Sequence, residues 1–133
     1  MDVTSHSFGV ETAGGYCQQL IRRNAPIPAE QARVFTTGHD GQDRVTARVC
    51  QGESRIFEDN QVLGEIELTE LREAARGELR IGVRFQLNAS GILAVTARDL
   101  ETGREQSIQI NLRGGLSEED IVAMQARQQA SLG

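Results

Sequence analysis

Lysine and tryptophan are absent from this sequence of 133 residues, and cysteine, proline and methionine occur only twice each. Without lysine no GxxxxGK[ST] phosphate loop can exist. The 14 cationic residues are all arginine and face 19 acids, for a net charge of −5. That balance excludes duplex nucleic acid and anionic membranes as main partners, since both reward a basic face. Arg22-Arg23 is too small a patch, and lacks interleaved aromatics, to bind single strands. No apolar run nears the roughly 20 residues of a membrane span. The N-terminus also has no signal-peptide apolar region, so a cytoplasmic location is expected. Cys17 and Cys50 allow one disulfide at most and form no zinc-ligand spacing; they read as small, buried or half-buried thiols of a reducing cytosol. Aromatics at 4% and 14 glycines argue against long helices.

What is present is alternation. Ile81, Val83, Phe85 and Leu87 are separated by Gly82, Arg84 and Gln86, which places one apolar and one polar face on a strand. Asn88-Ala89-Ser90-Gly91 supplies a turn, Leu93, Val95 and Ala97 alternate next, and Glu101-Thr102-Gly103 turns the chain again into Ile108, Ile110 and Leu112. Three evenly spaced strands with short glycine-bearing loops make an antiparallel meander. Upstream, Phe8–Thr12, Gly14-Gly15 and Tyr16–Ile21 read as a hairpin, and Pro26 and Pro28 mark a loop. Strands are also expected at Arg33–Thr37, Val45–Cys50 and Gly64–Leu68, with a turn at His39-Asp40-Gly41. About eight strands in a chain of one-domain length predict an all-β fold, an antiparallel β-sandwich over residues 1–116.

The pattern then changes. Ser117 precedes Glu118-Glu119-Asp120 in an S-x-x-D capping box, followed by Ile121, Val122 and Met124. A short helix is expected over 117–133, reading as the cut end of a longer element. The segment from Glu53 to Glu78 carries eight acids and three arginines, which accounts for the whole net charge. A solvated acidic face explains it, with steering of ligands that have basic flanks as the functional alternative.

Catalytic chemistry is nearly absent. The only histidines, His6 and His39, lie in unrelated turns with no metal-ligand cluster. Ser5, His6 and Asp40 lack a nucleophile elbow or an oxyanion hole. No catalytic residue and no metal ligand is expected, and an enzyme is not. What remains is a sandwich whose glycine-bearing loops carry apolar residues at one end, where binding sites usually sit.

The residues in order go further. Asp2-Val3-Thr4 followed by Phe8-Gly9-Val10-Glu11-Thr12-Ala13-Gly14-Gly15 resembles the DVTP-LSLGIET-GG opening of a chaperone peptide-binding domain. Ile27-Pro28, Val34-Phe35-Thr36-Thr37, Asp40-Gly41-Gln42, Val45-Thr46, Gln51-Gly52-Glu53, Leu63-Gly64, Arg76-Gly77, Ser90-Gly91-Ile92-Leu93-Ala94-Val95 and the GLSEEDI run at Gly115–Ile121 extend the similarity along essentially the whole chain. The family it resembles is the seventy-kilodalton heat-shock proteins of the DnaK type.

That resemblance implies a sandwich that grips extended hydrophobic peptides and unfolded proteins between two loops, with a helical lid behind. The pocket for one apolar side chain would comprise Phe8, Val10, Thr12, Phe35, Val45, Ala47 and Ile81. The backbone of Thr12, Ala13, Thr36 and Gly38, with Gln42, would bond the peptide main chain. Asp40 and Arg76 match positions that latch the lid, and Asp2 and Val3 match the interdomain linker. ATP and Mg would belong to a nucleotide-binding domain outside this chain, which itself would need no cofactor; that domain and a J-domain co-chaperone are the implied partners. Two departures stand out. Ser5 and His6 replace the proline and apolar residue of the family's opening, and the arch positions over the peptide are the small Ala13 and Gly38, which predicts a low or open arch. A sandwich of the same descent serving as a fixed interaction or scaffold domain is the alternative.

Overall fold

The structure, a computed structural model, describes residues 2–112. Eight strands follow one another: β1 (Phe8–Thr12), β2 (Tyr16–Ile21), β3 (Ala29–Thr36), β4 (Val45–Gln51), β5 (Gln61–Leu68), β6 (Arg80–Leu87), β7 (Ile92–Asp99) and β8 (Glu105–Asn111). They form two four-stranded sheets, in the orders β2-β1-β4-β5 and β3-β6-β7-β8, with every pairing antiparallel. The all-β sandwich read from alternation is therefore the fold. The helix expected over 117–133, with the sandwich boundary at 116, lies outside the described residues. Among those described, the only helical element is one 3-10 turn at Phe57–Asp59, and no helix is long and apolar enough to cross a membrane.

Period-two patterning explains the sandwich. In β6 the residues Ile81, Val83, Phe85 and Leu87 are buried while Arg80, Arg84 and Gln86 are exposed. In β7 Leu93, Val95 and Ala97 take the same inner phase. The facing sheet contributes Phe8, Val10, Val45, Ala47, Val49, Leu63, Ile66 and Leu68 to one continuous core. Each of the larger side chains contributes about 1.5–3 kcal/mol on burial, which offsets ordering entropy without any covalent staple. Two strands are longer than alternation implied. β3 begins directly after the Ile27-Pro28 peptide and β5 begins at Gln61, three residues before Gly64. In both cases backbone pairing with a neighbour extends the strand past the apolar signal, as far as Ala29↔Leu87 and Gln61↔Gln51.

The outer face of the first sheet carries a second, smaller cluster, in which Cys50, Phe57 and Val62 are buried and Cys17 packs against them. The 3-10 turn brings Phe57 onto this face. Arg48 lies over its ring at 4.8 Å and pairs with Glu11 at 3.3 Å. Gly9 sits in the middle of this face because it has to: a Cβ there would collide with the Gln18 carbonyl and come within 2.9 Å of the Cys17 sulfur.

The acids between Glu53 and Glu78 do not form one face. Glu53 binds Ser7, Glu67 lies 4.0 Å from Arg44, Glu70 3.0 Å from Arg104, and Glu78 3.6 Å from Arg72. The ion pairs among these are exposed and screened by salt, so they orient loops more than they stabilise the fold.

Candidate functional site

One end of the sandwich gathers four strand ends: the last residues of β1 and β3 and the first of β4 and β6. The register brings Phe35 of β3 directly opposite Ile81 of β6. In the other sheet, Val10 pairs with Val49, which sets Val45 and Ala47 further toward the turn that follows Thr12. Alternation does the local work, since Phe8, Val10, Val45, Ala47 and Ile81 all occupy the inward phase. Sequence resemblance named these residues as a pocket wall, and the fold places all of them, with Phe35, in the main core.

They are closed off from solvent. Val10, Ala47 and Ile81 are 0% exposed, Val45 1%, Phe8 2% and Phe35 8%. Val10, Val45, Ala47 and Ile81 thus meet almost no solvent, and a leucine side chain enters only if the surrounding loops separate. Thr12 and Thr36 are half-buried at the rim, Ala13 is exposed at the tip of the first turn, and Gly38 is half-buried in the loop between β3 and β4.

That second loop is held by a compact set of hydrogen bonds. Gln42 is buried, and its Oε1 accepts the backbone N–H groups of Gly38 at 2.9 Å and His39 at 3.2 Å. Its Nε2 donates to the Arg44 carbonyl at 2.7 Å. Gln42 and the Gly38 N–H thus order the loop from within. The Thr12 carbonyl similarly accepts the Gly15 N–H at 3.2 Å, closing the first turn. The same loop is sewn to the segment before β6: Thr37 N–H donates to Leu79, Gly77 to Thr37 and Gly41 to Ala74. Asp40 Oδ1 accepts the Arg76 backbone N–H at 2.7 Å. The two residues read as a latch are therefore neighbours, joined through a carboxylate and a main chain. Both are exposed.

Asp2 and Val3 lie away from this end. The Asp2 carbonyl accepts the Ile27 N–H at 3.0 Å, Val3 forms an isolated bridge with Pro26, and both side chains are exposed. Ser7, close by, is buried and gives its N–H and Oγ–H to Glu53 at 2.9 and 2.7 Å. The backbone N–H of Ser7, followed by its hydroxyl, holds the Glu53 carboxyl below the ordinary value.

The family model described as Hsp70 protein matches residues 1–132. The chain belongs to the Hsp70 family. Membership carries the chaperone and heat-shock character of that family to this sandwich. The Hsp70 family is one of ATPases, yet among the described residues no group of three His, Cys, Asp or Glu side chains could hold a metal ion.

Among the features that escaped sequence reasoning, two bear on the candidate site. The first is the sewing of residues 74–79 to the loop after β3, signalled only by Gly77 with its positive φ of 79°. The second is a groove on the outer face of the second sheet, bordered by Val34, Gly82, Arg84, Arg98 and Leu100. Val34 is 59% and Leu100 41% exposed. Its signal was available in the parity of β3, where Ala32 and Val34 share the outward phase with Glu30.

Proposed function

We propose that this Hsp70-family chain holds extended hydrophobic segments of unfolded proteins at the end of the sandwich where β1 and β3 finish. The observation that supports this most is the convergence of Val10, Val45, Ala47 and Ile81, from three strands in both sheets, beneath two short loops. Such a hydrocarbon wall suits one leucine-like side chain, worth about 1.5–3 kcal/mol when buried. Main-chain bonds from the rim at Thr12, Ala13, Thr36 and Gly38 are blind to sequence and net about 1 kcal/mol each. One pocket plus a few such bonds gives moderate affinity and broad selection, as a chaperone needs. Because the wall is closed in the free chain, binding includes loop opening, and Gln42 exchanges an internal bond for one to the peptide.

The finer parts of this reading follow the family. Asp40 and Arg76 act as the docking point for a helical lid, Asp2 and Val3 lead toward a nucleotide-binding domain, and a J-domain co-chaperone acts on the whole protein. Coupling between the two domains is then a linkage between ATP and peptide affinity. The small Ala13 and Gly38 leave the peptide loosely enclosed.

A second reading is favoured by the Val34–Leu100 groove, which is already open and apolar: a fixed interaction or scaffold domain. Titrating a leucine-centred peptide into the chain and into Val45→Phe separates the two. Loss of binding in the variant, with the fold retained by circular dichroism, supports the pocket. Undiminished binding overturns it and supports the outer face.

A further inference from the structure

The Cys17 and Cys50 sulfurs lie 2.8 Å apart, both as free thiols. They come from β2 and β4, the strands that flank β1, and they meet above Gly9, the one position in β1 with no side chain to separate them. The ladder is irregular at both neighbours of this contact, between Phe8 and Gly9 and between Val49 and Cys50. Such irregularities raise local twist and bend the strands. A disulfide bond of about 2.05 Å brings the sulfurs about 0.8 Å nearer than their present 2.8 Å, and it draws β2 and β4 together around β1 until the two Cα atoms lie within about 7 Å.

The two thiols are not equivalent. Cys50 is fully buried, under Phe57 and Val62. Cys17 is half-buried and lines an open cleft with Tyr16, Gln18, Arg22, Glu53 and Arg55. A small oxidant therefore reaches Cys17 first. Hydrogen bonding from the Cys50 thiol lowers the Cys17 pKa, and the same contact, with burial, raises that of Cys50. Of the two, Cys17 is the sulfur that ionises more readily.

We propose that Cys17 is a redox-modifiable site and Cys50 its resolving partner, so that hydrogen peroxide converts the pair into a disulfide joining β2 to β4 around β1. In the first step the Cys17 thiolate attacks one peroxide oxygen. An S–O bond forms, the O–O bond breaks, and the departing hydroxide takes up the thiol's proton as water. In the second step the Cys50 sulfur attacks the Cys17 sulfenic sulfur. An S–S bond forms, the S–O bond breaks, and hydroxide leaves with the Cys50 proton as a second water. Two sulfurs are oxidised, one peroxide is reduced, and dithiothreitol reverses the change.

The consequence rests on the peptide reading above. β1 carries Phe8 and Val10 on its inner face and runs into the Thr12–Ala13 rim. A covalent tie between its two neighbours restrains the turn that must move for a peptide to enter or leave, so the oxidised chain exchanges peptide more slowly.

The test treats the chain with hydrogen peroxide and reads intact mass and free thiols. Loss of two hydrogen atoms in mass together with both thiols, restored by dithiothreitol, is the expected result. In Cys50→Ser the expected product is a Cys17 sulfenic acid trapped by dimedone. Oxygen addition without the loss of two hydrogens, an intermolecular disulfide, or unchanged thiols each overturns the proposal. Release of a leucine-centred peptide is then timed in both redox states. Equal rates overturn the restraint while leaving the disulfide standing, and no binding in either state overturns the peptide reading alone.

Discussion

Asp40 and Arg76 are joined across 36 residues of sequence by a 2.7 Å hydrogen bond from the Arg76 main chain to the Asp40 carboxylate. With the Gly77–Thr37, Thr37–Leu79 and Gly41–Ala74 bonds, this ties the loop after β3 to the segment that leads into β6. Phe35 and Ile81, which pair directly across β3 and β6 and line the proposed pocket, are thereby held together. The other sheet's hairpin is tied at Gly15, whose carbonyl accepts the Phe57 N–H at 2.9 Å, so opening of the proposed site falls mainly to the exposed tip at Ala13 and Gly14.

Asp40→Ala removes one charged acceptor from a network that is otherwise main chain to main chain. The expected cost is about 1 kcal/mol of local stability, seen as about fivefold faster hydrogen exchange of the Arg76 amide. Core amides in β6 and β7 should keep their protection. Uniform acceleration across the sandwich would show that the bond supports the whole fold and not the loops.

Enlarging the arch tests the small residue at the turn. Ala13→Met adds an apolar chain above the rim, worth about 1 kcal/mol of contact with a bound peptide. Stopped-flow release of a labelled leucine-centred peptide should slow by about fivefold. An unchanged release rate would remove Ala13 from the arch.

Glu53 gives a pH dependence with a defined sign. Its carboxyl is held below the ordinary value of 4.5 by the Ser7 N–H and hydroxyl. A group whose folded pKa is depressed contributes stability above its unfolded pKa and loses it as pH falls through the folded value. The Glu53–Ser7 contribution is therefore complete at neutral pH and declines below about pH 4.5. In Glu53→Gln the melting temperature should fall at pH 7 and lose less than the parent on acidification. Parallel acid limbs for the two proteins would rule the linkage out.

Gly9 has the sharpest steric demand in the outer cluster. Gly9→Ala drives a methyl group into the Gln18 carbonyl and against Cys17. Overpacking against backbone typically costs about 1–3 kcal/mol, and thermal denaturation should register it. The same variant should separate the two sulfurs. A melting temperature equal to that of the parent would show that β1 and β2 shift apart freely.

Much of this was legible before the fold was known. Alternation located the meander β6–β7–β8 because the second sheet has one wet face and one buried face, so inward positions such as Ile81, Val83 and Phe85 could be read directly, while the earlier strands rested more on turn signals between shorter apolar runs. That Val10, Val45, Ala47 and Ile81 face the core was legible from their phase, while their proposed role as a pocket wall comes from the family resemblance. Strand ends were less so, since Ala29 and Gln61 are placed by pairing with Leu87 and Gln51 and not by their own hydrophobicity. The outer-face cluster was missed because Cys50 and Phe57 look like an outward residue and a loop residue until the 3-10 turn folds one over the other. The meeting of Cys17 and Cys50 depends on strand order, with β1 between them, and no local pattern encodes that order.

Methyl-resolved NMR during titration with a leucine-centred peptide tests the central claim most directly. If the hydrocarbon wall at the loop end is the binding surface, the methyl signals of Val10, Val45, Ala47 and Ile81 shift as peptide is added, while Val34 and Leu100 stay in place. Shifts confined to Val34 and Leu100, with the buried methyls unmoved at saturation, would contradict the account.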